Sequence, residues 1–309
     1  MDSSTFTYKD QDGVEIFVYK WSPDGAPKAA LQIAHGLAEV AARYEDFARF
    51  MTDAGYVCYA DDHRGHGKTA GEEKDLGKLG PGGWDSTVEA LKGLTDIIRK
   101  ENPGIPLFMM GHSWGSLLAQ DYIEQWGPGL KGIILSGTNG KQPFIVRTMA
   151  PFLAHREMKK RGPDAPSELL GNLAFKGYNK PYEPAPTDFE WLCTDREVVD
   201  KYVADPFCGW MSTAGTSMYV ELAKGVKKIS QKSLQQKIPK DLPVYIMTGS
   251  EDPTNNMGKG ARILFDQYQK LGIRDVNFKV YEGARHEILN ETIKDQVYKD
   301  MLDWMEAHS

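Results

Sequence analysis

The sequence predicts an α/β fold: a mostly parallel central sheet with helices on both faces, interrupted late by a mainly helical insertion. Three observations carry this. Short apolar runs alternate with stretches of helical spacing, as βαβ units require. Most of the runs are apolar throughout, as strands buried on both faces are. Their polar residues gather just past the C-terminal ends of the runs, the edge where open α/β sheets bind ligands.

The elements follow in chain order. Val14 to Trp21 alternates like a half-buried strand. Ala29 to Ala34 is a short apolar run that ends in His35-Gly36. Tyr44, Phe47, Phe50 and Met51 give Tyr44 to Ala54 a helical spacing that stops at Gly55, a C-cap signal. Tyr56 to Ala60 is a second apolar run, followed by Asp61-Asp62-His63-Arg64-Gly65-His66-Gly67. Trp84 to Lys100 reads as a helix closed by Asn102-Pro103-Gly104. Pro106 to Met110 leads into Gly111-His112-Ser113, and Gly115 to Trp126 is helical. Strands are expected again at Ile133 to Ser136, Val244 to Thr248 and Val276 to Tyr281, and helices at Ala261 to Leu271 and Gln296 to Ala307. Between 139 and 240 no clean strand run occurs. The expected organisation is therefore a core in two parts, 1–138 and 241–309, with a helical cap or lid at 139–240.

Composition narrows the class. The 309 residues are 41% hydrophobic and 26% charged, which suits a globular chain and excludes a collagen or a coiled coil. A net charge of −6 without a Lys/Arg block argues against nucleic acid and anionic membrane as partners. The three cysteines, Cys58, Cys193 and Cys208, are too few and odd in number for a disulfide framework, though a Cys193–Cys208 bridge stays open. Met1 to Asp12 is polar and acidic, without a basic segment ahead of an apolar one, so no secretory leader is expected. The apolar runs are far shorter than the roughly 20 residues that span a bilayer. A cytoplasmic protein without stable membrane insertion is the expectation; the oligomeric state is not legible.

Gly111-His112-Ser113-Trp114-Gly115 follows an apolar strand and opens a helix, the context in which G-x-S-x-G forms a nucleophile elbow. A serine there projects its hydroxyl from the sheet edge, and the helix start offers free N–H groups to developing negative charge. Two such donors are needed for an oxyanion hole. Trp114 is one, as the residue after the nucleophile. Leu37, after the strand ending in His35-Gly36, is the other. A serine hydroxyl needs a base. His286 lies past the last strand, in Tyr281-Glu282-Gly283-Ala284-Arg285-His286. The orienting acid is expected after the penultimate strand, in Gly249-Ser250-Glu251-Asp252-Pro253; Asp252 is preferred and Glu251 competes. The order Ser113, Asp252, His286 is that of the α/β hydrolases. The Asp61 to His66 cluster invites a metal reading, but metalloprotease-type zinc sites set two histidines on one helical face, and this loop is glycine-rich. No metal or cofactor is expected.

Together with His35-Gly36-Leu37-Ala38-Glu39 and Asp62-His63-Arg64-Gly65-His66-Gly67, these motifs make the chain resemble the monoacylglycerol lipase and lysophospholipase-like branch of the α/β hydrolases, the serine aminopeptidase S33 type. The resemblance covers nearly all of the chain outside 139–240. It implies a cofactor-free hydrolase that cleaves carboxylic esters through an acyl-enzyme, under a cap that covers the acyl channel. It implies Glu39 and Arg43 near the head group of a small-molecule acyl ester. Two positions depart from the pattern: Ala38 stands for a second loop glycine, and Leu289 for a histidine three residues after the base. Phe144, Phe207 and Trp210 are expected to contribute to an apolar groove above Ser113. An aminopeptidase or acyltransferase on the same triad, or a non-catalytic ligand-binding protein, are the alternatives. A peptidase would use cap acids such as Glu157, Glu168, Glu183 or Glu190 to hold an N-terminal amine.

Overall fold

A computed structural model describes residues 1–309. One sheet holds eight strands: β1 (Asp2–Lys9), β2 (Glu15–Ser22), β3 (Ala29–Ala34), β4 (Tyr56–Asp61), β5 (Leu107–His112), β6 (Gly132–Ser136), β7 (Val244–Gly249) and β8 (Val276–Tyr281). Their order is β1-β2-β4-β3-β5-β6-β7-β8. The β1–β2 and β2–β4 pairings are antiparallel; every other pairing is parallel. All seven expected runs are strands. β1 is the addition. It is an edge strand whose residues Asp2 to Thr5 are exposed, so it carries no apolar run, and only Phe6 and Tyr8 pack inward.

Eleven α-helices accompany the sheet: α1 (Glu45–Asp53), α2 (Gly67–Ala70), α3 (Gly83–Glu101), α4 (Trp114–Trp126), α5 (Phe144–Arg161), α6 (Glu168–Phe175), α7 (Arg196–Ala204), α8 (Thr216–Ile229), α9 (Lys232–Gln235), α10 (Lys259–Lys270) and α11 (Lys294–Ala307). The sheet separates two cores. On one face Phe47 and Met51 of α1 meet Val297 and Met301 of α11. On the other lie Leu91 and Leu94 of α3, Leu118 and Tyr122 of α4, and Leu264 of α10. This second core runs without a break into the segment between β6 and β7, through Trp191, Trp210, Met211 and Tyr219. That segment contains α5 to α9 and no named strand. It is too small to bury its large apolar side chains alone and borrows the core's surface to do so. Cys58, Cys193 and Cys208 are all free thiols, so the Cys193–Cys208 bridge left open above is not formed. No helix is long and apolar enough to cross a membrane.

The inserted helix α8 is fixed to the core through Trp84 of α3. The Trp84 indole N–H donates to Asp121 Oδ2 at 2.6 Å, and its backbone N–H donates to Glu221 Oε2 at 2.7 Å. Lys228 bridges Asp85 at 2.6 Å and Asp121 at 2.9 Å. Gly225 lets α8 lie directly on the indole: a Cβ there would sit 2.2 Å from Trp84 Cε3. Gly225→Ala sets a helix-propensity gain of about 1 kcal/mol against overpacking on a fully buried ring. The clash should win. Thermal unfolding is expected to show a net loss of about 1–2 kcal/mol, whereas a raised melting temperature would mean that α8 shifts freely.

Candidate active site

β5 ends at His112 and α4 starts at Trp114, so Ser113 makes the whole strand-to-helix turn. It does so at φ 52° and ψ −121°, a region that a residue with a Cβ rarely occupies. Its neighbours leave no room for side chains. A Cβ at Gly115 would lie 2.2 Å from the Ala34 carbonyl oxygen, and one at Gly111 would lie 2.6 Å from the Gly115 oxygen. The glycines of the motif are therefore dictated by the approach of α4 to β3 and β5. The Ser113 N–H donates to the Ser136 carbonyl of β6 at 2.9 Å, which ties the turn to the next strand.

Asp252 and His286 come from the loops after β7 and β8. Asp252 is fully buried, and its Oδ2 accepts from His286 Nδ1 at 2.9 Å. Three further donors reach the carboxylate: Asn255 Nδ2 at 2.9 Å, the Thr254 N–H at 2.9 Å and the Thr254 hydroxyl at 2.7 Å. Burial alone would raise the Asp252 carboxyl; the imidazole and the Thr254 donors outweigh it and hold the group below its ordinary value. For His286, burial lowers the pKa, and the Asp252 carboxylate, assisted by Glu287 and Glu39, more than compensates and raises it. Ser113 and His286 line one cavity. No Ser113–His286 hydrogen bond is closed here; such bonds are often long until substrate binds. Glu251, the competing acid, is exposed and has no part in the pair.

Leu37 and Trp114 line the same cavity, and the backbone N–H of neither has a partner in the protein. Two unpaired donors beside a serine can stabilise an oxyanion. Glu39 lines the cavity as well. Its Oε1 accepts from the Tyr44 hydroxyl at 2.9 Å, and its Oε2 from Arg43 at 2.7 Å. Arg43 is placed differently from expectation. It does not line the cavity but makes a bidentate pair with Glu287, both contacts at 2.6 Å, beneath the Tyr202 ring.

The histidines after β3 and β4 form a buried support. The rings of His35 and His63 stack at 4.0 Å, and His66 stacks on Trp114 at 5.0 Å. His63 Nδ1 pairs with Asp61 at 2.9 Å, while Asp62 accepts from the N–H groups of Ala41 and Lys68. Burial depresses His35, and takes His66 and His112 down to about 3, so these imidazoles are neutral near pH 7.

The apolar side chains around Ser113 are not the expected ones. Phe144 is 73% exposed at the start of α5 and points to solvent rather than into a groove. Phe207 is half-buried in the packing of the insertion and lines neither cavity. Trp210 is buried behind the site, 4.9 Å from the His66 ring. The 130 Å³ cavity at Ser113 is closed instead by Phe175, Tyr178, Trp191, Leu192, Tyr202 and Met211. Leu117, Phe175, Tyr178 and Leu222 also line an adjoining cavity of about 370 Å³, which extends between α5, α6 and α8 and is mostly apolar. Thr254, Tyr202 and Glu287 escaped the sequence reading. Glu287 was adjacent to His286 and could have been suspected; Tyr202 carries no local signal.

In sequence and fold the chain is similar to known ester hydrolases. Residues 25–293 match the family model described as serine aminopeptidase, S33. The chain is 28% identical to a monoacylglycerol lipase of Mycolicibacterium smegmatis, over 99% of this chain and 98% of that one. It is 25% identical to human monoglyceride lipase, over 95% and 88% of the two chains. Among solved structures, a thermostable carboxyl esterase from Bacillus coagulans, in complex with glycerol, superposes with a TM-score of 0.90 at 28% identity, each chain covered to 99%.

The Asp252–His286 pair has a measurable pH signature. A neutral imidazole can take the Ser113 proton and an imidazolium cannot. Because the folded His286 pKa is raised, kcat/KM is expected to climb with pH through an inflection above the ordinary value of about 6.5. Glu287→Gln removes one carboxylate that favours the imidazolium and should move the inflection down. A pH–rate profile with an inflection below 6 in the parent protein would contradict this reading.

Proposed function

The chain belongs to the serine aminopeptidase S33 family, with the α/β-hydrolase fold, and we propose that it hydrolyses monoacylglycerol-like carboxylic esters through Ser113, His286 and Asp252. It is an ester-hydrolysing enzyme by its relatives. In the proposed reaction Ser113 attacks the ester carbonyl while His286 takes its proton. Asp252 fixes the imidazole tautomer and stabilises the imidazolium. The N–H groups of Leu37 and Trp114 hold the oxyanion. His286 then protonates the leaving alcohol, and a water activated by the same imidazole releases the acid. Loss of one oxyanion donor typically costs about 3 kcal/mol, so the hole matters as well as the triad.

The observation that carries the substrate class is the apolar cavity of about 370 Å³ that shares Leu117, Phe175, Tyr178 and Leu222 with the Ser113 cavity. It suits an acyl chain, with 139–240 acting as the cap above it. The head group is left with Glu39 and Glu287, two carboxylates that share one guanidinium. Carboxylates accept hydrogen bonds from the hydroxyls of an alcohol such as glycerol, and no free cation lines the Ser113 cavity to receive a phosphate. This favours a neutral monoacylglycerol over a lysophospholipid. The peptidase reading is weakened because none of Glu157, Glu168, Glu183 and Glu190 lines the Ser113 cavity. Glu157 is bonded to Arg161 and Ser167, and Glu190 to Thr187 and Arg196.

Hydrolysis of p-nitrophenyl esters from C2 to C16, with Ser113→Ala beside the parent, tests the proposal. The rate is expected to peak at C8 or longer and to fall by about 10⁴-fold or more in the variant, with the fold intact by circular dichroism. A peak at C2 to C4 would mean a closed acyl cavity and a small-ester hydrolase. An undiminished rate in Ser113→Ala would remove the serine from the mechanism.

A further inference from the structure

The three peptide groups of the loop after β3 are held unequally. The Gly36 N–H donates to Glu39 Oε1 at 2.5 Å. The Ala38 carbonyl accepts two hydrogen bonds, both from the inserted segment: the Tyr202 hydroxyl at 2.9 Å and the Gly209 N–H at 3.0 Å. Between these pinned groups, the N–H groups of Leu37 and Ala38 have no partner in the protein, and of these two residues Leu37 lines the Ser113 cavity. Ala38 itself has φ 58°, a left-handed conformation that an alanine enters only at a cost. A strained residue of this kind persists only when its surroundings over-determine it.

We propose that Tyr202 is a positioning residue for oxyanion binding: its hydroxyl holds Ala38 in the left-handed region and thereby aims the Leu37 N–H at the acyl oxygen. Tyr202 is itself well fixed. It is 2% exposed, with the Arg43 guanidinium 4.8 Å from its ring on one contact and Phe189 at 5.1 Å on another. The hydroxyl is thus a rigid strut from α7 to the loop of β3. The inference rests on the reading of Leu37 as an oxyanion donor, and it adds a consequence. Tyr202 also lines the Ser113 cavity, and a lining residue would act through substrate binding and depend on acyl length. A strut acts on the chemical step and is indifferent to acyl length.

Tyr202→Phe removes the hydroxyl and keeps the ring. The experiment measures kcat and KM on p-nitrophenyl acetate and p-nitrophenyl decanoate, and the affinity of an alkylboronic acid whose Ser113 adduct imitates the tetrahedral oxyanion. Because outright loss of a donor costs 10²–10³-fold, misaiming one is expected to lower kcat about tenfold on both esters. KM should stay within about twofold, and boronate affinity should fall with kcat. Glycine adopts φ 58° freely, so in an Ala38→Gly background Tyr202→Phe should cost about threefold or less. An unchanged kcat, even with a lowered melting temperature, overturns the proposal. So does a loss confined to KM on the decanoate, or an equal loss in both backgrounds. The parent and Ser113→Ala run alongside: a parent without Ser113-dependent turnover fails the proposed function, whereas a normal parent with an unaffected Tyr202→Phe fails this inference alone.

Discussion

A single residue, Ser113, must turn the chain from β5 into α4 at a positive φ, and the geometry of the site follows from that turn. Such a conformation costs of order 1–3 kcal/mol and has to be enforced. Enforcement comes from both neighbouring strands. β3 presents the Ala34 carbonyl so close to Gly115 that only a glycine fits there, which lets α4 start directly against the strand. β6 accepts the Ser113 N–H through Ser136. Because β5 is central and parallel to both, Ser113, the loop of Leu37 and the start of α4 meet above the same sheet edge. The loops after β7 and β8 end on that edge too, which brings Asp252 and His286 within reach.

A second constraint is electrostatic. Glu39 and Glu287 are 3% and 4% exposed, and Arg43 is mostly buried between them. Taking such ions out of water costs several kcal/mol each, and only dense pairing offsets it. Glu39 receives Arg43, Tyr44 and the Gly36 N–H; Glu287 receives both Arg43 nitrogens and Asn290. The two acids are nevertheless unequal. Burial raises Glu39, while Glu287, which takes the bidentate contact, is held below its ordinary value by Arg43 despite its burial. The cluster joins three pieces of chain: the β3 loop through Glu39, the His286 loop through Glu287, and the insertion through Tyr202 over Arg43. Its rigidity explains how a site assembled from distant loops keeps its shape.

Most of the fold was legible because buried parallel strands leave apolar runs and the antiparallel β2 leaves an alternating one, and all seven stretches are strands. β1 left none: an exposed edge strand is held by main-chain hydrogen bonds, to which side chains such as Asp2 and Ser3 contribute little. Of the proposed site, Ser113, Leu37, Trp114, Asp252 and His286 were legible, since each sits at a fixed offset from a strand end. The walls were not. Phe144, Phe207 and Trp210 are large and apolar, but whether such a residue faces solvent, packing or a cavity depends on how α5 to α8 pack, and no local spacing encodes that. Tyr202 illustrates the limit, because its partner Ala38 is 164 residues away.

The insertion is not uniformly tied to the core, and this bears on how a long acyl chain could enter. Its inner stretch is laced to the site. The His286 and Glu287 N–H groups donate to the carbonyls of Trp191 and Leu192, Arg285 reaches the carbonyls of Glu190 and Cys193, and Tyr202 and Gly209 hold Ala38. Lifting that stretch would release the His286 loop and the β3 loop together, dismantling the arrangement that substrate needs. α8 is pinned by Lys228 and by the contact of Gly225 with Trp84. α5 and α6 are different: Phe144, Ile145, Phe152 and Leu173 are exposed, and the larger cavity opens between these helices and α8. Local opening is cheapest where few buried contacts are lost. Under the proposed ester reading, entry past α5 and α6 would leave the contacts of the inner stretch with the His286 and β3 loops in place, and it would bring an acyl chain to the apolar cavity beside Ser113.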